Sequence, residues 1–332
     1  MSGRNLTRWA TAVLALVLVL VVAACGSSSG GSGTASTAPV AANLSADQIA
    51  QQSQAKMSQL KSAAYTADVS VQANGDPSKI TDPTQKALLS QGIKVHVQGK
   101  GNVQPPAADM TISLDLAGQA LEFSMMTQGS KAWVEFQGKW YEMDAKTAKG
   151  MAPLTGSGAT PMSQLKKMGL DPQTMGATYT LVGTETLAGT QVYHIKAAVD
   201  PKKLSKALAQ ASKDPKVAKS LGSQLKQLEQ LGGQSATGAK QLEKALKSVS
   251  IDYWVGTGDM LVRKVSAVFD VSPPAGAKGA SASPGMTMTM TVTLAGFDQP
   301  VTVTPPANAL PLSQLLNQMF GGLLSGAGGV SY

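Results

Sequence analysis

Apolar and polar residues alternate with a period of two along much of the chain, which is typical of β-strands. In residues 64–73, Ala67, Val69 and Val71 alternate with Asp68 and Ser70. Comparable alternation recurs at 109–143, 178–199, 250–256, 261–271 and 286–296. One apolar and one polar face, strand after strand, predicts an antiparallel sheet that is covered on one side only.

Glycines mark the breaks between these predicted strands. Gly118, Gly129 and Gly138 interrupt the long alternating run at 109–143, and Gly189 interrupts the run at 178–199. Each break has the length of a hairpin turn, and glycine readily supplies the positive φ that such turns require. Neighbouring strands are therefore predicted to be joined by hairpins.

Helical spacing is confined to three parts of the chain. Ser45, followed three residues later by Gln48, has the pattern of a capping box at a helix start. A lysine-rich insert at 201–249 holds three helical patterns, whose apolar positions are Leu204 and Leu208; Val217, Leu221, Leu225 and Leu228; and Leu242, Leu246 and Val249. The last predicted helix begins at Pro311, a residue well suited to a first turn.

The single cysteine of the 332-residue chain, Cys25, directly follows an apolar run. Arg4 and Arg8 precede that run, and small residues follow it, as in a secretory signal. The letters "VAAC" at 22–25 resemble a bacterial lipobox, in which the cysteine is lipidated and becomes the mature N-terminus. The alternative is an ordinary secretory signal cut near Ala24, which would leave an incidental free cysteine.

These features divide the chain into four parts. Residues 1–24 are predicted to be a lipoprotein signal peptide, and 25–43 a lipidated cysteine with a flexible Gly/Ser tether. Residues 44–306 form the predicted globular domain, which includes the insert, and 307–332 a C-terminal helix with a Gly-rich tail. Removal of Arg4 and Arg8 with the signal lowers the formal charge from +8 to +6. The mature protein is expected on the outer face of the plasma membrane, anchored through Cys25.

Three segments carry a resemblance to a known family: "GSKAWVEFQGKWYEM" (129–143), "DYWVGTGDMLVRKV" (252–265) and "VTLAGFDQPVTVTPP" (292–306). They resemble LolA-like proteins, and more narrowly the actinobacterial LppX/LprA/LprF/LprG lipoproteins. The resemblance implies an α+β fold in which a curved antiparallel half-barrel sheet is closed on its concave side by helices. It also implies an apolar cavity for acyl chains, such as palmitate, of a lipid or lipoglycan.

The candidate cavity residues are the apolar positions of the predicted strands. They are Leu114, Leu116, Leu121, Phe123, Met125, Val134, Phe136, Met286, Met288 and Met290. Fifteen methionines against fifteen aromatic residues suggest a soft interior that suits a poorly specified apolar ligand. Taken alone, the methionine run at 286–290 favours ordinary core packing, because methionine is also a common core residue. Four aromatic residues are candidates either for the cavity rim or for cross-strand packing: Trp133, Trp140, Tyr141 and Trp254.

The insert carries ten lysines against three acidic residues. Lys202, Lys203 and Lys206 are therefore candidates for contact with anionic lipid head groups. The alternative is that these lysines form a solvated helix face.

Other chemistry has little support in the sequence. His96 and His194 lie in predicted strands, far apart and without acidic or cysteine residues at ligand spacing, so neither a metal nor a cofactor is predicted. Gly256 and Gly258 lack the third glycine of a nucleotide loop and predict a turn instead. The sequence indicates neither a nucleophile–base pair nor a nucleic-acid partner, and the protein is not expected to be an enzyme.

Two functions remain. In the first, the protein binds a lipid or lipoglycan and carries or presents it within the cell envelope, with a transporter as a possible but unidentified partner. In the second, its own side chains fill the core, and the protein is a non-enzymatic interaction or sensor lipoprotein.

Overall fold

A computed structural model describes residues 44–74, 78, 83–102, 105–116, 118–145, 147–148, 176–204, 206, 246–271, 285–315 and 317. The predicted signal peptide, Cys25, the tether, insert residues 207–245 and the C-terminal tail lie outside the described residues. In the described part, no helix is long and apolar enough to span a membrane.

Twelve strands form one sheet. The strands are β1 Ser62–Asn74, β2 Ile93–Asn102, β3 Ala107–Leu116, β4 Gln119–Gln128, β5 Lys131–Phe136, β6 Lys139–Glu142, β7 Thr178–Leu187, β8 Thr190–Ala198, β9 Leu246–Gly256, β10 Val262–Val271, β11 Gly285–Ala295 and β12 Leu310–Pro311. Two helices have described bounds, α1 Ala46–Met57 and α2 Pro83–Gln91.

The strand order is β12-β6-β5-β4-β3-β2-β1-β11-β10-β9-β8-β7. All neighbours pair antiparallel except β12 and β6, which are parallel. The sheet is curved and open, with β12 and β7 at its two edges. Because β1 pairs with β11, strands from the two ends of the domain meet in the middle of the sheet. The predicted antiparallel sheet is confirmed.

Hairpin turns connect many of these strands, as the glycine spacing predicts. Gly118, Gly129, Gly138 and Gly189 all have positive φ, at +87°, +61°, +76° and +80°. The turn at 256–261 joins β9 to β10, where the Gly256 N–H donates to the Leu261 carbonyl over 2.9 Å.

Helix α1 begins with the predicted capping box. The Gln48 N–H donates to Ser45 Oγ over 3.2 Å, and the Ser45 N–H donates to Gln48 Oε1 over 2.9 Å. Both bonds satisfy donors that a helix start leaves unpaired. The buried Ile49 of this helix packs with Ile195 and Val255, which places α1 over the β8–β9 side of the sheet.

The third predicted helix of the insert is wrong at its C-terminal end. Leu246 and Val249 lie in β9, and both are buried. Leu246 pairs with Val271, and Val249 pairs with Phe269. A spacing of three residues on β9 therefore matches a spacing of two on β10, and a β-bulge accounts for the difference. The bulge therefore gives a strand the apolar spacing of a helix turn.

The C-terminal helix starts one residue later than predicted. Pro311 ends β12, and residues 312–315 are helical. The pairing of Leu310 and Pro311 with Tyr141 and Glu142 also extends the sheet beyond residue 306, where the domain was predicted to end.

Candidate ligand-binding face

One face of the sheet is apolar from strand to strand. Met290, Val69, Val95, Leu114 and Leu121 are successive cross-strand partners on β11, β1, β2, β3 and β4. Because directly opposite residues point to the same face, these five side chains form one continuous row. We call the face that carries this row the inner face.

A second inner-face row lies one step along the strands. It consists of Val292, Ala67, Val97, Ile112 and Phe123. On the paired inner-face positions described for β1–β4 and β9–β11, no side chain is an Asp, Glu, Lys, Arg or His. A surface of this composition favours contact with apolar groups over water.

The outer face has the opposite character. Asp68 and His96 are cross-strand partners there, and His96 Nδ1 lies 2.7 Å from Asp68 Oδ1. Ser113 Oγ donates to Glu122 Oε2 over 3.0 Å on the neighbouring strands. At these positions of β1–β4 the outer face is thus polar, and the inner face is the one available for an apolar ligand.

Burial on the inner face falls along β4 toward the β3–β4 hairpin. Met125 is 3 % exposed and Leu121 is 49 % exposed, with Phe123 between them in sequence and in burial. The inner face therefore runs from a closed core to an open apolar end at this hairpin.

The structure places the predicted cavity residues along this gradient. Met125, Met288 and Met290 are buried members of the main hydrophobic cluster. Leu114, Phe123 and Val134 are partly buried and pack against that cluster. Leu116, Phe136 and Met286 are partly exposed, and Leu121 is exposed.

The methionine run divides between the two interpretations that the sequence leaves open. Met288 and Met290 are buried among the protein's own side chains, as core residues are. Met286 lies opposite Ala73 and is partly exposed. The run therefore enters the core at one end and approaches the open end of the sheet at the other.

Two tyrosines extend the uncharged character of the inner face beneath α1. Tyr253 is the cross-strand partner of Ile195, and burial, followed by the nearby Tyr179, raises the pKa of its hydroxyl. Burial and then the Asp47 carboxylate raise the pKa of Tyr179. A raised pKa means that both phenols stay neutral to a higher pH than an exposed tyrosine would.

The four aromatic candidates separate into different environments. Trp133 and Tyr141 are buried packing residues. Trp254 lies on the outer face, where its ring stacks on His194 with centroids 4.6 Å apart. Trp140 lines a surface cavity of about 570 Å³ at the β6 edge of the sheet.

His194 lies between two carboxylates, an arrangement that the sequence spacing does not reveal. Its Nε2 lies 2.9 Å from Asp252 Oδ1, and its Nδ1 lies 3.6 Å from Glu185 Oε1. The two carboxylates lie at opposite nitrogens of the ring, so they do not converge on one point as metal ligands would. Among the described residues, no group of three side chains could hold a metal ion. This arrangement could be found only from the β7–β8–β9 register.

The candidate head-group lysines are exposed. Asp200 begins a short helical segment at 201–204, and its Oδ1 accepts the Lys202 N–H over 2.8 Å. Lys202, Lys203 and Lys206 are all exposed, and their contact with lipid remains a prediction.

Comparison with known proteins finds similarity in structure but not in sequence. No family model matches the chain, and no curated protein matches it. The chain is similar to two mycobacterial lipoproteins. LppX from Mycobacterium tuberculosis is 16% identical with a TM-score of 0.36, and the match covers 77% of this chain and 96% of that one. LprF from Mycobacterium bovis is 12% identical with a TM-score of 0.35, covering 79% and 97%.

A third match is a LolA superfamily protein from Nitrosomonas europaea. It is 7% identical with a TM-score of 0.21, and the match covers 79% of this chain and 96% of that one. These proteins are from the same group that segments 129–143, 252–265 and 292–306 resemble.

Proposed function

We propose that this chain is an exported lipoprotein, anchored through a lipid on Cys25, that binds the acyl chains of a lipid or lipoglycan on its inner face. It carries or presents that molecule within the cell envelope. The protein binds its ligand without chemical conversion, so it is not an enzyme. The acyl chains lie along the ends of β3 and β4 next to their hairpin, where the inner face is open.

The uncharged inner face is the observation that supports this proposal most strongly. Each methylene of an acyl chain that is buried away from water contributes about 0.8 kcal/mol of favourable free energy. A carrier must therefore offer a dry surface with neither charge nor unpaired polar groups. The rows that end at Leu121 and Phe123 offer such a surface.

The residues around this surface also suit a ligand of variable shape. Met57, Met110 and Met125 all belong to the main hydrophobic cluster. Methionine is unbranched and has three rotatable bonds, so it adapts to chains of different length and curvature. The face is therefore suited to apolar chains as a class.

A filled-core interaction or sensor protein is the second candidate. Ala67 is 0 % exposed and Val292 is 1 % exposed, so the middle of the inner face is already covered by the protein's own atoms. This closed packing favours a filled core around β1, β10 and β11. The lipid-carrier and filled-core functions therefore make different predictions for the β3–β4 end of the inner face.

Extraction of lipid from the purified protein separates the two candidates. We expect mass spectrometry of the organic extract to detect an acyl lipid in a fixed molar ratio to protein. A protein that is purified without detergent, is fully folded, and carries no extractable lipid and takes up none from vesicles would be the filled-core type.

A further inference from the structure

Two adjacent apolar side chains are exposed on β7, the strand at one edge of the sheet. Val182 is 57 % exposed and Leu181 is 40 % exposed. Leu181 is the cross-strand partner of Ile195, and Val182 is the extra residue of a β-bulge that precedes Gly183. In the described part of the chain, the other large apolar side chain with such exposure is Leu121, which the proposed function assigns to the acyl chains. Leu181 and Val182 have no such role.

Strand β7 is also the less protected of the two sheet edges. Its ten residues include neither proline nor lysine, which commonly guard an exposed edge against unwanted pairing. β12, at the opposite edge, has only two residues and ends on Pro311. A long edge strand that carries exposed apolar side chains is typical of an interaction surface.

The first described residues of the chain lie beside β7. Helix α1 packs against β7, and after burial the nearby Asp47 carboxylate is the second cause that raises the pKa of Tyr179. Leu44 packs against the buried cluster that includes Ile195, the cross-strand partner of Leu181. The chain therefore enters the folded domain next to the exposed apolar pair.

The predicted tether brings this edge within reach of the membrane. Residues 26–43 separate the proposed lipid on Cys25 from Leu44. A flexible Gly/Ser segment of that length spans about 23 Å on average. Strand β4, which carries the open end of the inner face, is eight strands away from β7 in the sheet order. The anchor therefore ties the bilayer to the β7 side of the domain.

Three exposed lysines lie close to the start of β7. The side chain of Lys203 packs directly on Gly176, two residues before the strand begins, and Lys202 and Lys206 are its exposed neighbours in sequence. Asp200 is the nearest acid in sequence, and its Oδ1 accepts the Lys202 and Lys203 N–H groups over 2.8 and 3.3 Å. None of the three ammonium groups forms an ion pair with another described residue. They are available to anionic head groups.

We propose that the β7 edge docks on the anionic membrane surface to which Cys25 is anchored. Leu181 and Val182 enter the head-group region, and the three lysines contact acidic head groups beside them. Water and phosphate oxygens in that region accept the free N–H groups of the edge strand, so no backbone donor is carried into hydrocarbon. The inference rests on the proposed function, because that function supplies the anchor.

A fluorescent label at position 182 tests the docking surface. Val182→Cys is labelled with the dye NBD in the lipidated protein, where the lipid blocks Cys25, and the protein is reconstituted into vesicles. The vesicles contain equal parts of phosphatidylglycerol and phosphatidylcholine, with a spin-labelled lipid as quencher. We expect the lipid to quench the label at 182. Ala120→Cys, at an exposed position of β4, is the matched control and should stay unquenched. Quenching at 120 alone, or at neither position, would overturn the proposal.

Replacement of the three lysines tests the head-group contact without the anchor. The mature chain with Cys25→Ser is mixed with the same vesicles, so binding depends on docking alone. Each lysine near an anionic surface contributes about fivefold to binding, so the triple variant Lys202→Gln, Lys203→Gln, Lys206→Gln should bind at least about tenfold more weakly.

The control replaces three exposed lysines of α2 and β2, Lys86→Gln, Lys94→Gln and Lys100→Gln, and should bind within about twofold of the unmodified chain. Equal losses in the two triple variants, or no binding by the unmodified chain, would overturn the docking surface. This measurement needs neither a lipid on Cys25 nor a ligand on the inner face. It therefore succeeds or fails independently of the proposed function.

Sedimentation distinguishes a membrane from a second copy of the chain as the occupant of the β7 edge. A monomer whose label at 182 responds only to anionic vesicles supports membrane docking. A dimer whose label at 182 shifts to shorter wavelength without vesicles would mean that two β7 edges pair with each other, and it would overturn the proposal.

Discussion

Leu114 and Leu121 face each other across β3 and β4, and this pair lies where the inner face opens to solvent. Leu114 still packs against the main hydrophobic cluster, while Leu121 is 49 % exposed. Val95, the partner of Leu114 on the other side, is buried. Within one cross-strand row the environment changes from core to accessible apolar surface, which is the arrangement that a chain-binding face needs.

A charge at position 121 should weaken ligand binding more than it lowers the stability of the fold. Leu121→Lys places an ammonium where the account puts an acyl chain, and an unpaired charge in such contact is costly. We expect the affinity for dioctanoylglycerol to fall at least about tenfold, with a melting temperature within about 2 °C because the site is already half exposed. Ala120→Lys adds the same charge one residue away on the outer face, and it should change neither quantity. Equal binding by both variants would remove Leu121 from the site.

The stability lost through bulky substitutions along β4 should increase with the burial of the substituted residue. Met125 is 3 % exposed, so Met125→Trp overpacks a filled region and should lower the free energy of unfolding by about 1–3 kcal/mol. Phe123 is partly exposed, and Phe123→Trp should cost less than about 1 kcal/mol. Urea unfolding measures both. Equal losses would mean that the β3–β4 end is as tightly packed as the core.

The raised pKa values of Tyr253 and Tyr179 predict a loss of stability at high pH. In the unfolded chain a tyrosine ionises near pH 10, whereas burial favours the neutral phenol in the folded protein. The unfolded state therefore releases protons first, so the free energy of unfolding is unaffected below about pH 10 and falls as pH rises above it. Tyr253→Phe keeps the ring and should make that decline shallower by at most about 1.4 kcal/mol per pH unit. An unchanged slope would mean that Tyr253 is not buried as described.

The anchor is tested at Cys25. Cys25→Ser removes the thiol that the lipid would modify, and the protein should either leave the membrane fraction or accumulate as an unprocessed precursor. Fractionation and immunoblotting of cells that express the variant measure both outcomes. Normal processing together with unchanged membrane association would show that Cys25 is not the anchor.

Much of the sheet could be predicted because its two faces differ so clearly. Runs such as Ala67, Val69 and Val71 on one face and Asp68 and Ser70 on the other need no tertiary information. The same alternation correctly placed Leu114, Phe123 and Met125 on one face.

Other elements depend on contacts that are distant in sequence. The two residues of β12 form a strand because they meet Tyr141 and Glu142, and the bulge in β9 gives Leu246 and Val249 a helix-like spacing. The exposure of Leu121 depends on what covers each row of the sheet, which alternation cannot show. The cavity beside Trp140 arises in the same way, since its two walls are more than 160 residues apart in sequence.

Photo-crosslinking tests the central claim most directly, because inner-face and outer-face residues alternate along β3 and β4. A diacyl lipid with a diazirine in one chain would be loaded into the protein, irradiated, and its attachment sites located by peptide mass spectrometry. We expect labels on Leu114, Leu121 and Phe123, and an excess of unlabelled lipid should suppress them. Suppressible labels on the outer-face neighbours Glu122 and Ser124, or no suppressible label at all, would contradict it.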